Sequence, residues 1–159
     1  MTYERNHDPE YYESHRNYAN CGSFALNLKG WYDPEDYFYD REGYAADWIE
    51  ELYTNGYNEE EISNLYAEIL VEGMLEEFRG ELRELTPTNW RINPSEELVE
   101  FRTFCYYDEE GCANWDFHFK VLRDGLWMEK NGSGPVHCCE EDEWGDYISD
   151  TFYFAHWLL

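Results

Sequence analysis

Positive charge is scarce in this sequence: 11 Lys and Arg stand against 36 Asp and Glu, for a formal net charge of −25 over 159 residues. With no basic stripe to neutralise phosphates, the chain is not expected to bind nucleic acid directly. The same field repels anionic membranes and attracts cationic partners. Long apolar runs are missing too. No stretch approaches the ~20 residues of a membrane helix, and the opening "MTYERNHDPEYYE" has neither the basic region nor the apolar core of a signal peptide. A cytoplasmic protein without a membrane partner is the expectation. The five cysteines (Cys21, Cys105, Cys112, Cys138 and Cys139) are odd in number and contain no C-x-x-C pair. That pattern argues for free thiols over a disulfide framework.

What the chain does have is apolar and aromatic bulk, including seven Trp and fifteen Tyr. A disordered acidic chain lacks such residues, so the expectation is one folded domain, residues 1–159, under a very acidic surface. Residues 1–16 read as a flexible or loosely packed segment. In "YANCGSFALNL" (residues 18–28), Asn17 or Asn20 can cap a short helix running through Leu28. "KGWYDPEDYFYDREGY" then reads as a long surface loop, broken by Gly, Pro and Asp. Two helices follow. "AADWIEELYTNG" ends at Gly56, and the second opens with Asn58 and Glu61 as a capping box. Ile62, Leu65, Tyr66, Ile69, Leu70, Met74, Phe78 and Leu82 keep a helical spacing, a core-packing stripe with the glutamates on the solvated face. From "EELVEFRTFCYY" onward the pattern turns to strands. "NWDFHFKVLRDGLWMEKNG" reads as a hairpin turning at "RDG", and "DTFYFAHWLL" as a final strand. Helices first and an antiparallel sheet after them give an α+β layout.

A cysteine at the start of a helix can be a small buried hydrophobe or a nucleophile. Unpaired amides at a helix start favour the thiolate, but a nucleophile also needs a base. Of the five histidines, His7 and His15 fall in the N-terminal segment and His156 in an apolar run. His118 shares a strand with Phe117 and Phe119, which take the opposite face, so its imidazole sits on a rigid element. Glu129, on the other strand of the hairpin, can orient that ring. Asn20, Gly22 and Ser23 surround the thiol; their backbone N–H groups can bind an oxyanion, and the small Gly22 and Ser23 leave room for substrate.

"NCGSFALN" followed downstream by "DFHFKVLRDGLWMEKNGSGPV" resembles a group of bacterial and phage proteins. There an NC-x-[AS]-[YF]-AL segment precedes D-[YF]-H-[WF]-Y-R and G-x-W-x-H-K-P-G segments. The group is similar to the papain-like superfamily, nearest to NlpC-type cysteine peptidases. The resemblance implies a papain-like, NlpC-like fold, a bacterial or phage source, Cys21 as nucleophile and His118 as base. The third position falls on Glu129, where the group has His, and Asn131 replaces its Pro.

The reading is a thiol-dependent hydrolase acting on a peptide or amide substrate, to which the acidic surface lends a preference for positive charge. It calls for no cofactor. His137, Cys138 and Cys139 could supply at most two ligands on one side of an extended segment, so no metal site is expected. Runs such as "EEDE" read as solvated charge. The competing function is that of an acidic binding or inhibitor protein, a nucleic-acid mimic or an inactive relative, with a basic protein as partner. The segments "DPEYYES" and "DPEDYFYDREGY" would form its aromatic interface.

Overall fold

The structure, a computed structural model, describes residues 3–158. In chain order the helices are α1 (Tyr11–Ser14), α2 (Cys21–Ala25), α3 (Glu35–Glu42), α4 (Ala45–Thr54) and α5 (Glu59–Glu77), with a 3-10 turn at Arg16–Tyr18. The strands are β1 (Leu82–Glu84), β2 (Glu96–Tyr107), β3 (Ala113–Arg123), β4 (Leu126–Lys130), β5 (Val136–Cys138) and β6 (Phe152–Trp157). They form one sheet in the order β1-β6-β2-β3-β4-β5, each neighbour antiparallel. The architecture is α+β.

The alternation in β2 and β3 divides the sheet into two unlike faces. Val99, Phe101, Thr103, Phe119 and Val121 point to the helical side, where they are buried with Phe24, Tyr66 and Leu70. Thr103 marks the contact with α5 directly, its hydroxyl donating to the Ser63 carbonyl at 2.6 Å. Glu100, Arg102, His118 and Lys120 take the other face. The β2–β3 register pairs Phe101 with Phe119 and Arg102 with His118, so each face stays uniform across the two strands. The β3–β4 hairpin closes through Asp124 and Gly125, both at positive φ (54° and 79°), the pair that a two-residue type I′ turn requires.

Helix α5 begins as its capping box dictates: Asn58 Oδ1 accepts from the Glu61 amide at 2.9 Å and Glu61 Oε1 from the Asn58 amide at 3.1 Å. It ends at Glu77, short of Leu82. Gly80, at φ 85°, turns the chain, and Leu82 pairs with His156 as the first residue of β1. Leu82 is buried here as a strand residue, so an apolar residue at helical spacing does not by itself choose helix over strand.

Other expectations need correction. The helix holding Cys21 stops at Ala25 instead of reaching Leu28. The stretch read as a long surface loop contains α3, whose Phe38 is buried against Trp48 and Tyr66. Within residues 1–16, most of the described residues are exposed, while Asn6 and Tyr12 are buried. Tyr12 is 3% exposed, with its hydroxyl 3.0 and 2.9 Å from the carbonyls of Ser23 and Leu28. A polar, Tyr-rich composition conceals tyrosines that bury the ring and tie the hydroxyl to backbone. Among the described residues no helix is long and apolar enough to cross a membrane.

Candidate active site

Cys21 is the first residue of α2, and three sets of bonds fix it there. Asn20 Oδ1 accepts from the Ser23 amide (3.0 Å) and hydroxyl (2.8 Å) and from the Tyr32 amide (3.2 Å), while Asn20 Nδ2 donates to the Tyr32 carbonyl (2.6 Å). The Ser23 hydroxyl lies against the Gly30 carbonyl and accepts from the Tyr32 amide. From behind, the ammonium of Lys130, whose residue is fully buried, donates to the carbonyls of Arg16, Ala19 and Gly132. Lys130 thus ties the segment entering α2 to the end of β4. Burial holds its pKa below the ordinary lysine value, opposed by the neighbouring Cys21. Capping takes the Ser23 amide, and the Phe24 amide goes to the Asn20 carbonyl, which leaves the amides of Cys21 and Gly22 at the helix start. Five residues of helix carry little macrodipole, so local amides and neighbouring charges dominate the field at this thiol.

Gly22 and Ser23 were expected to make room for substrate, and their smallness has another physical reason. A Cβ on Gly22 would stand 2.7 Å from Tyr32 Cδ2 and 3.1 Å from Phe119 Cε2. Ser23 is fully buried with its hydroxyl engaged by the cap and loop. Both serve packing beneath the thiol.

The pairing of β3 with β4 covers Val121–Arg123, so His118 lies on an edge of β3 that β4 has already left. There His118 Nε2–H donates to Glu129 Oε1 at 2.8 Å, leaving Nδ1 as the nitrogen for its second hydrogen-bond partner, Cys21. Burial works against protonation of this ring. The hydrogen bonds and charges of Cys21 and Glu129 outweigh it and raise the His118 pKa to about 9. Glu129 is lowered to about 2, first by its bond to His118. Its other oxygen, Oε2, accepts from His137 Nε2–H at 2.7 Å, so one carboxylate is held between two imidazoles. The three residues expected to act together, Cys21, His118 and Glu129, do meet.

Cys21, His118 and Asn20 line a cleft of about 340 Å³ together with Trp31, Asp33, Glu35, Phe104, Asp116 and Phe117. That volume is at the low end of the ~300–1,000 Å³ usual for small-ligand sites. On the far side of His118, Trp144 stacks edge-on at 5.8 Å and covers Arg102 and Lys120 at 5.1 and 4.5 Å. Lys120 in turn binds the carbonyls of Glu140, Glu141 and Glu143, so the segment carrying Trp144 is strapped to the sheet.

None of the other four thiols lines this cleft. Burial pushes Cys105 and Cys139 up to about 11, and Cys112 and Cys138 are exposed. Among the described residues no group of three or more His, Cys, Asp or Glu could hold a metal ion. Of the remaining histidines, His15 stacks on Tyr11, and burial lowers His156 to about 4.

His137 and Lys130 were not foreseen as parts of the site. Had "VHC" been read as a strand, the register Glu129↔His137 would have placed the second imidazole on the carboxylate. Lys130 carries a fainter signal, a lysine in step with Met128 on the helical side of a strand. Set beside known proteins, the chain matches no family model, no curated protein and no solved structure.

Proposed function

We propose that this chain is a thiol-dependent hydrolase of an amide or peptide bond, with a papain-like, NlpC-like arrangement of its site. The supporting observation is the hydrogen-bonded series Cys21–His118–Glu129, whose first two members line a cleft. A helix-borne cysteine, a histidine on one strand and its orienting group on the next follow the order of the family that the sequence resembles.

In this mechanism the attacking species is the thiolate of Cys21, beside a His118 ring that a pKa near 9 keeps protonated at neutral pH. Sγ attacks the amide carbonyl carbon, and the C–S bond forms as the oxygen takes the negative charge, facing the Cys21 and Gly22 amides. His118 gives its Nδ1 proton to the amide nitrogen as the C–N bond breaks, leaving a thioester and a neutral ring. Water then loses a proton to His118 and attacks the thioester. The C–O bond forms, the C–S bond breaks, and thiolate and imidazolium return together. Glu129 holds Nε2 throughout and stabilises the ring's charge; His137 holds the carboxylate.

Site-resolved alkylation by iodoacetamide near neutral pH tests this. Cys21 is 5% exposed, so an inert thiol there would react more slowly than exposed Cys112 and Cys138. The expectation is that it reacts at least ~10-fold faster than either, and that His118→Ala lowers its rate ~100-fold. If Cys21 reacts no faster than those two, the acidic binding-protein reading replaces the hydrolase.

A further inference from the structure

Three carboxylates open into the same cleft as the thiol. Asp33 precedes α3, Glu35 begins it, and Asp116 stands on β3 two residues before His118. They are close enough to act on one another: the charges of Asp33 and Asp116 both raise Glu35, after burial as the leading cause. None of the three forms an ion pair with a Lys or Arg among the described residues. Their hydrogen bonds leave acceptor capacity over. Asp33 Oδ1 takes the Glu35 amide at 2.9 Å, Asp116 Oδ1 takes the Phe117 amide at 2.8 Å, and Glu35 accepts from Tyr66. Trp31, Phe104 and Phe117 add aromatic surface to the same wall.

Glu35 and Asp116 are half-buried and Asp33 is exposed beside them. The one positive neighbour acting on the group is His118, on Asp116, so a cation entering the cleft would relieve both the desolvation and the repulsion. Aromatic faces beside carboxylates add to the attraction for an ammonium or guanidinium group. The acidic cluster does not stand alone, because the cavity holding it also holds the nucleophile and its base.

We infer that Asp33, Glu35 and Asp116 form a specificity subsite for a cationic side chain, a lysyl ammonium or arginyl guanidinium, next to the amide bond that Cys21 attacks. The inference rests on the hydrolase reading above and specifies its substrate. It differs from a general attraction by the acidic surface, because a subsite discriminates at one thiol and is poorly screened by salt.

Methanethiosulfonate reagents bearing trimethylammonium, sulfonate or no charge separate the two, with labelling rates read at each cysteine by mass spectrometry. Cys112 is the internal reference, an exposed thiol in the acidic turn Asp108–Cys112 that feels the same overall field. The cationic-to-anionic rate ratio at Cys21 should exceed that at Cys112 by at least ~10-fold and persist in ~0.5 M salt. Glu35→Gln and Asp116→Asn should each reduce the excess, and the double variant should bring it within about twofold of Cys112. Both changes keep side-chain shape, and either single variant suffices if the other fails to fold. No excess in the wild type, or an excess that both variants leave intact, overturns the subsite. The uncharged reagent keeps the two ideas apart: if it labels Cys21 no faster than Cys112, the hydrolase reading fails, while the charge ratio is still measured.

Discussion

The two faces of the sheet solve opposite problems with neighbouring residues. On the helical face, Val99, Phe101, Phe119 and Val121 are fully buried and need only close packing. One residue away along the same strands, Glu100 and Lys120 are nearly as deeply buried, and His118 with Arg102 lies beside them. Burying apolar area stabilises a fold at roughly 25 cal/mol per Å², whereas burying charge costs free energy unless every proton and lone pair finds a partner. Lys120 finds three carbonyls and Glu129 two imidazoles. The helical face therefore carries the stability. The other face gives up some of it to hold a reactive pair in place.

That division predicts where substitutions hurt. Phe119→Ala should be the most damaging to stability, by about 3–5 kcal/mol in urea unfolding, because it opens a cavity between β3 and α2. Close behind comes Lys130→Met, which keeps volume but strands three carbonyls around the Cys21 segment; about 3 kcal/mol is expected. Lys130 is the exception to a simple division, being a charge that points to the helical side. Its replacement should also slow Cys21 alkylation in molecules that remain folded, a second effect that Phe119→Ala in its folded fraction need not share. A Lys130→Met protein as stable as wild type would show that the clamp does nothing.

On the polar face the expected effects are in proton affinity more than stability. Glu129→Gln keeps an acceptor for His118 Nε2 but removes the charge, so the His118 titration midpoint, followed by NMR of the ring, should fall from about 9 by ~1–2 units. Stability depends on pH through the same shifts. The His118 pKa is raised from 6.5, so its contribution is fully present below pH 6.5 and lost as pH rises through 9. Glu129, lowered from 4.5, contributes above pH 4.5 and loses that contribution as pH falls towards 2. An unmoved midpoint in the Gln variant would mean that Cys21 alone sets the His118 charge.

The same two faces mark what could be read from residues alone. Period-2 alternation and the Asp124–Gly125 turn placed β2, β3 and β4, and with them His118 and Glu129 on one hairpin. Asn58 and Glu61 declared the start of α5. Apart from Cys21 with His118, which the family resemblance brought together, contacts across long separations were not legible. Nothing local in "DPEDYFYDRE" shows that Phe38 will find Trp48 and Tyr66, and no pattern around Lys130 announces the Ala19 carbonyl. The short strands β1 and β5 are set by pairing partners, not by their own three residues.

Glu100 probes the difference between the faces most finely, because its burial is still uncompensated. Both carboxylate oxygens are buried without a hydrogen-bond partner, and the nearest opposite charge is Arg102 Nε at 3.5 Å. The indole N–H of Trp144, packed over this face, goes instead to the Glu141 carbonyl at 2.7 Å. Burial accordingly raises Glu100 to about 7, with Arg102 opposing. For a carboxylate whose folded pKa lies above 4.5, the associated stability is complete below pH 4.5 and lost as pH rises through 7. Glu100→Gln should therefore be more stable than wild type at about pH 8, by about 1–2 kcal/mol, with the advantage gone by about pH 4.5. Equal stability of the two proteins at both pH values would mean that Arg102 and Lys120 already neutralise the cost of the buried charge. The polar face would then be as well satisfied as the apolar one.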